Sequence, residues 1–143
     1  MARKTDRHGS RTSRHGAVVV EMALCLPLLF FFFLAALEMS RVNMIRQTVE
    51  NAVYEGSRRG VVPGATADDC RNAALAVLNS VSANDADIDV VPATLTDNVP
   101  EVTVSVEVPL NSNSWVVPFF FRDRFVTSSM TLRKERFANA RVP

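Results

Sequence analysis

The chain has almost none of the residues from which catalytic and metal centres are built. Of its 143 residues only two are histidine, His8 and His15, and both fall within the first sixteen. Everything beyond is without imidazole, so no Ser-His-Asp or Cys-His arrangement can form there. A zinc site fails for the same reason, since Cys70 is the single cysteine of the polar half. The other cysteine, Cys25, sits in an apolar run and is not expected to meet Cys70, so both read as free. Two cysteines are in any case too few for the disulfide framework of a small secreted domain. The five glycines are scattered singly, which excludes a phosphate-cradling loop. An excess of one charge is also missing. Sixteen Lys+Arg stand against fifteen Asp+Glu, so nothing points to nucleic acid. Asp85, Asp87 and Asp89 have the alternate spacing of the first ligands in a calcium loop. The sixth place is Val90 instead of Gly, however, and the twelfth is Thr96 instead of Glu. A solvated turn leading into a strand accounts for them better. No catalytic residue, metal ligand or cofactor is expected, and the chain does not read as an enzyme.

What is present is a sharp layout. By length the chain is about one domain, yet its neutral total is assembled from charged blocks. Residues 1–16 carry Arg3, Lys4, Arg7, Arg11 and Arg14 against Asp6 alone. Residues 61–107 hold eight acids against Arg71, and residues 122–143 are basic again. Blocks of this kind suggest compartments with different surroundings. Between the first two lies residues 17–37, a stretch in which only Glu21 is charged. As a helix it spans roughly 31 Å, close to the hydrocarbon thickness of a bilayer. The run Phe30-Phe31-Phe32-Phe33-Leu34 is apolar on every face, which packing on a soluble core does not require. The basic front places the N-terminus in the cytoplasm and the chain beyond about residue 38 outside. Pro27 falls inside the span and is expected to bend the helix without ending it. A cleavable signal peptide competes with this reading, with Ala35-Ala36 as small residues for its cut. The apolar stretch exceeds the usual signal length, and the sequence after it stays helical, which favours a retained span. Glu21 has two readings. It is an interfacial carboxylate favoured by the helix N-terminal dipole, or it meets a positive partner.

Beyond the span Val42, Ile45, Val49, Ala52 or Val53 and Gly56 recur at helical spacing, with Arg41, Arg46, Gln47, Glu50 and Asn51 placed off the stripe. The pattern predicts one helix over about 17–58, stopped by Gly60 and Pro63-Gly64. Thr66 and Asp69 form an approximate capping box for a second helix over about 67–81. Glu101-Val-Thr-Val-Ser-Val-Glu-Val108 alternates strictly and is the clearest strand. Residues 87–95 give a weaker strand, pushed toward an edge or bulge by Pro92, and 125–132 a third. One polar face implies an antiparallel sheet with its Val face on a helix. The string Trp115-Val-Val-Pro-Phe-Phe-Phe121 is too short for a span. It either plugs the small core or forms a patch for a partner or the bilayer surface.

The string Arg14-His15-Gly16-Ala17-Val18-Val19-Val20-Glu21 looks like a prepilin-type leader, in which a basic peptide ends in Gly and Glu is the fifth residue of the mature chain. Continued through Met22-Ala-Leu-Cys-Leu-Pro27-Leu-Leu, Glu38-Met-Ser-Arg41 and Asn51-Ala-Val-Tyr-Glu-Gly-Ser-Arg58, it resembles the TadE-like pseudopilin family of tight-adherence pilus systems. Met22 stands where pilins of these systems often have an aromatic residue. The resemblance implies a cut by a prepilin peptidase between Gly16 and Ala17. It also implies an assembly role for Glu21 through charge pairing, one candidate partner being the new α-amine of a neighbouring chain, and a helix kink at Pro27. The expected partners are the lipid bilayer, other pilin or pseudopilin subunits and a membrane assembly platform, with no nucleic acid. The expected fold is α+β and pilin-like: a long N-terminal helix, transmembrane in its first half, packed on a small antiparallel β-sheet. The expected organisation is a basic cytoplasmic leader (1–16), a transmembrane helix (17–37), its soluble continuation (38–60) and an exported α+β head (61–143). The whole reads as a single-pass inner-membrane protein, a minor pseudopilin-like structural or assembly protein of a tight-adherence pilus or related secretion system. The alternative is a bitopic or secreted binding module with an extracytoplasmic β-rich head.

Overall fold

The computed structural model describes residues 11–95, 100–115 and 123–134, with side chains from residue 15 onward. Two helices, three strands and one short 3-10 turn are present among them: α1 (Arg11–Gly60), α2 (Ala67–Asn79), β1 (Asp87–Val91), β2 (Glu101–Pro109), the turn Asn111–Asn113 and β3 (Phe125–Arg133). The chain divides into two units, Met1–Leu37 and Glu38–Pro143.

The first unit is the leading part of α1. This helix is already formed at Arg11, the first described residue, six residues before the expected start, and continues without a break through Gly16 and Pro27. Neither proline nor a turn-forming cluster lies between residues 11 and 17 to end it, and one glycine costs a helix only about 1 kcal/mol. Side chains at residues 15–34 are all exposed, including Val19, Leu24 and the four consecutive phenylalanines.

The second unit is α+β, with the trailing part of α1 packed on a three-stranded antiparallel sheet of order β1-β2-β3. Ile45, Val49, Ala52 and Val53 of α1 are buried, at four- and three-residue spacing. They meet Cys70, Ala74 and Leu78 of α2 and the inward row of β2, Val102, Val104, Val106 and Val108. Those four valines are wholly buried, which contributes about 1.5–3 kcal/mol each. The row continues across the sheet, with Val104 opposite Val90 of β1 and Met130 of β3. On the opposite face Thr103 and Thr131 are paired, their hydroxyls 2.8 Å apart, and Glu101 lies beside Arg133. Alternation in the sequence thus becomes two chemically distinct faces.

Close approach is needed where the two helices and the sheet converge. A Cβ at Gly60 would lie 2.8 Å from Val102 Cγ1 and 3.0 Å from Cys70 Sγ, and one at Gly56 would lie 3.2 Å from the Cys70 carbonyl. Glycine at these positions lets α1 sit against α2 and β2 at backbone distance. The helix ends at Gly60, as expected, and a turn through Gly64 at φ +78° follows.

α2 starts on a full capping box. The Thr66 hydroxyl accepts from the Asp69 N–H at 3.2 Å, and the Thr66 N–H donates to Asp69 Oδ2 at 2.9 Å. The helix stops at Asn79, two residues short of the expected end, because the Ser80 and Val81 N–H groups already turn to i−3 carbonyls. β1 lies at an edge and ends at Val91 immediately before Pro92, which has no N–H to continue the ladder. Asp87 and Asp89 point to solvent from β1. Their alternate spacing is therefore the pleat of a strand, and Asp85 precedes it in a turn at φ +56°.

Candidate functional site

Two places in the molecule carry features that the packing of the core does not require. The first is the exposed apolar part of α1. By length and composition this helix can cross a membrane. A helix that is apolar on all sides and bare on all sides needs lipid or other helices around it. Gly16, Ala17, Glu21 and Pro27 all lie on this surface, exposed along the continuous helix. A Cβ added at Gly16 would meet nothing within 4 Å, so packing does not demand glycine there. Glu21 lies ten residues after Arg11. The dipole of a helix acts within its first turn, so it does little for Glu21 in the uncut chain. A cut at Gly16–Ala17 would bring the carboxylate to the fifth position of a new helix end.

The second place is a buried polar cluster within the second unit. Arg41 is only 4% exposed, although the sequence pattern set it off the apolar stripe. The positions 41, 45, 49 and 53 are successive i, i+4 neighbours, so Arg41 extends the buried stripe by one turn. That spacing is the signal the sequence carries, and the charge of the residue runs against it. Among the described residues its guanidinium is held by carbonyls. Nε donates to Asn113 O at 3.0 Å, Nη1 to Val81 O at 2.9 Å and Nη2 to Ser82 O at 3.4 Å. Its fork of N–H groups suits such a set of acceptors. The Trp115 ring covers the same guanidinium, its centroid 5.2 Å from Cζ.

Asn113 completes the arrangement. Its Nδ2 donates to Asn84 O at 2.9 Å and Pro109 O at 2.7 Å, and its Oδ1 accepts from Asn84 N at 2.7 Å. One buried amide therefore ties the segment after α2 to the end of β2, and Arg41 ties both to α1. Glu38, also buried, accepts from the Ser114 hydroxyl. Nothing in the sequence marked Asn113, because a lone asparagine after a strand reads as a turn residue. Of the apolar string 115–121, Trp115 is 63% exposed, so its ring does not plug the core. Residues 116–121 lie outside the described residues. Cys25 and Cys70 are both free, the first exposed and the second buried. Burial pushes the Cys70 thiol up, helped by the nearby Asp69 charge. The buried thiol fills core, and its surroundings disfavour the reactive thiolate.

Residues 16–58 match the family described as TadE-like protein. This stretch is TadE-like. The match begins at Gly16 and ends in the last turn of α1, so the TadE-like segment is the helix, and α2 and the sheet lie outside it. Exposed apolar surface, Glu21, Pro27, Glu38 and Arg41 all fall within it. No curated protein and no solved structure matches the chain.

Proposed function

We propose that this chain is a minor pseudopilin-like structural and assembly protein of a tight-adherence pilus or related secretion system, anchored in the inner membrane by the span 17–37. The observation that carries the reading is the coincidence of the TadE-like match with a helix whose apolar side chains are bare at residues 15–34 and buried from residue 45. One element thus serves as membrane anchor and as the central support of a folded head. In this reading residues 1–16 stay cytoplasmic until a prepilin peptidase cuts between Gly16 and Ala17, and the head is extracytoplasmic. Glu21 then sets the register between neighbouring helices by charge pairing. Pro27 adjusts the helix direction, and small Ala35-Ala36 permits close approach of a neighbour. The work of the protein is helix packing, with no chemical step.

N-terminal sequencing with intact mass of the membrane-derived chain tests the proposal. A start at Ala17 is expected. A start at Met1 leaves a bitopic anchored protein, and a start after Ala36 leaves a secreted binding module. Either result overturns the pseudopilin reading. Because nothing crowds Gly16, Gly16→Ala should fold as the parent does and remain uncut, which separates processing from stability.

A further inference from the structure

The cluster around Arg41 holds one group outward. Trp115 is the sole tryptophan of the chain, and the residue is 63% exposed while its ring rests on a buried arginine. Three backbone carbonyls fix that arginine, so the ring sits on a rigid base, and this base is close in the chain to the apolar stretch. Arg41 follows residue 37 by four positions. Four residues reach at most about 14 Å extended and about 6 Å as helix. The headgroup layer of each leaflet is about 5–8 Å deep. With residues 17–37 in hydrocarbon, Arg41 and the ring on it are therefore within reach of the headgroups. Tryptophan is enriched there, because its apolar ring and N–H suit the boundary between chains and water. Beside the ring, Ser80, Ser82, Asn84 and Ser112 line the same hollow as Arg41, its one charged residue, and supply groups that hydrogen-bond headgroup oxygens.

We propose that Trp115 seats in the headgroup layer and holds the head against the membrane surface, with Arg41 as the positioning residue that fixes the ring. The proposal rests on the reading of 17–37 as a retained membrane span. The full chain reconstituted in phosphatidylcholine–phosphatidylglycerol vesicles tests it, since tryptophan emission reports Trp115 alone. Flotation of chain with vesicles checks the span by itself. In floated vesicles, lipids brominated near the headgroup end of the acyl chain should quench Trp115 at least twofold more than lipids brominated near the terminal methyl. Acrylamide should quench it several-fold less than free tryptophan. Free access to acrylamide without quenching by brominated lipid, in a chain that floats, overturns the proposal while leaving the span intact. Shielding from both quenchers assigns the ring to a contact between protein chains and also overturns it. Arg41→Lys keeps the charge but loses the planar base. It should float normally and shift the emission to the red, with weaker quenching by the shallow bromines; unchanged emission removes the positioning role.

Discussion

Gly60 shows how little room the junction of α1, α2 and β2 leaves. An alanine methyl there would press on Val102 Cγ1 at 2.8 Å, and Val102 is a wholly buried, β-branched residue of the central strand. It cannot rotate away without leaving its rotamer. Gly60→Ala is therefore expected to destabilise the head by about 1–3 kcal/mol, read as a lower midpoint in urea unfolding followed by circular dichroism. Ser57 is a second buried small residue whose type matters. Its hydroxyl lies 2.6 Å from the Val53 carbonyl and 3.2 Å from the Met130 carbonyl, joining α1 to β3. Arg41 is the residue at which charge and position disagree. Its spacing placed it on the buried face, and its chemistry suggested solvent. Spacing prevailed because Asn113, Val81 and Ser82 supply carbonyls that replace water.

At the scale of elements, α2 depends on its first turn. Thr66 and Asp69 satisfy each other's backbone donors, and Asp68 pairs with Arg71 at 2.9 Å. Thr66→Ala should cost about 1 kcal/mol, measurable in the same unfolding experiment. The backbone N–H of Thr66, and then its hydroxyl, hold the Asp69 carboxyl below its usual range. A lowered native value means that the unfolded chain takes up the proton first as the pH falls. The box is therefore at full strength above about pH 4 and is lost as the pH drops through the native value. The stability gap between parent and Thr66→Ala should accordingly narrow in acid; a gap that stays constant from pH 7 to pH 3 would exclude this coupling. The strands were readable because each has a period of two. All three lie within the expected segments to one residue at their starts and at the ends of β2 and β3, and β1 alone is shorter, cut by Pro92.

At the scale of the whole molecule, α1 is built from two kinds of surface. Residues 15–34 are exposed apolar side chains, and residues 45–53 carry the buried stripe of the head. If assembly proceeds by charge pairing in the apolar region, Glu21→Ala should still insert in the membrane yet fail to enter filaments. Membrane fractionation beside immunoblotting of sheared filaments reads both properties, and incorporation at the parent level would remove the register role. Removing a charge from the apolar stretch should ease insertion, by less than about 3 kcal/mol because residue 21 lies near its start, so failed assembly cannot be ascribed to failed insertion.

The apolar run, the helical stripe, the capping box and the alternating strands were determined by the sequence itself, because each is a short-range pattern whose period names its structure. The resemblance to the TadE-like family rested instead on particular residue strings, and the family match over residues 16–58 agrees with it. Only the tertiary structure decided what fills the end of the head beneath Trp115. Arg41 in α1 lies 72 positions from Asn113 in the segment after β2 and further still from Trp115, and no periodicity links such distant residues. Their meeting follows from the sheet order and from the path of the chain after α2, which brings the Val81, Ser82 and Asn113 carbonyls around one guanidinium. A buried charge is tolerated only where such acceptors converge, and convergence is a property of the folded chain.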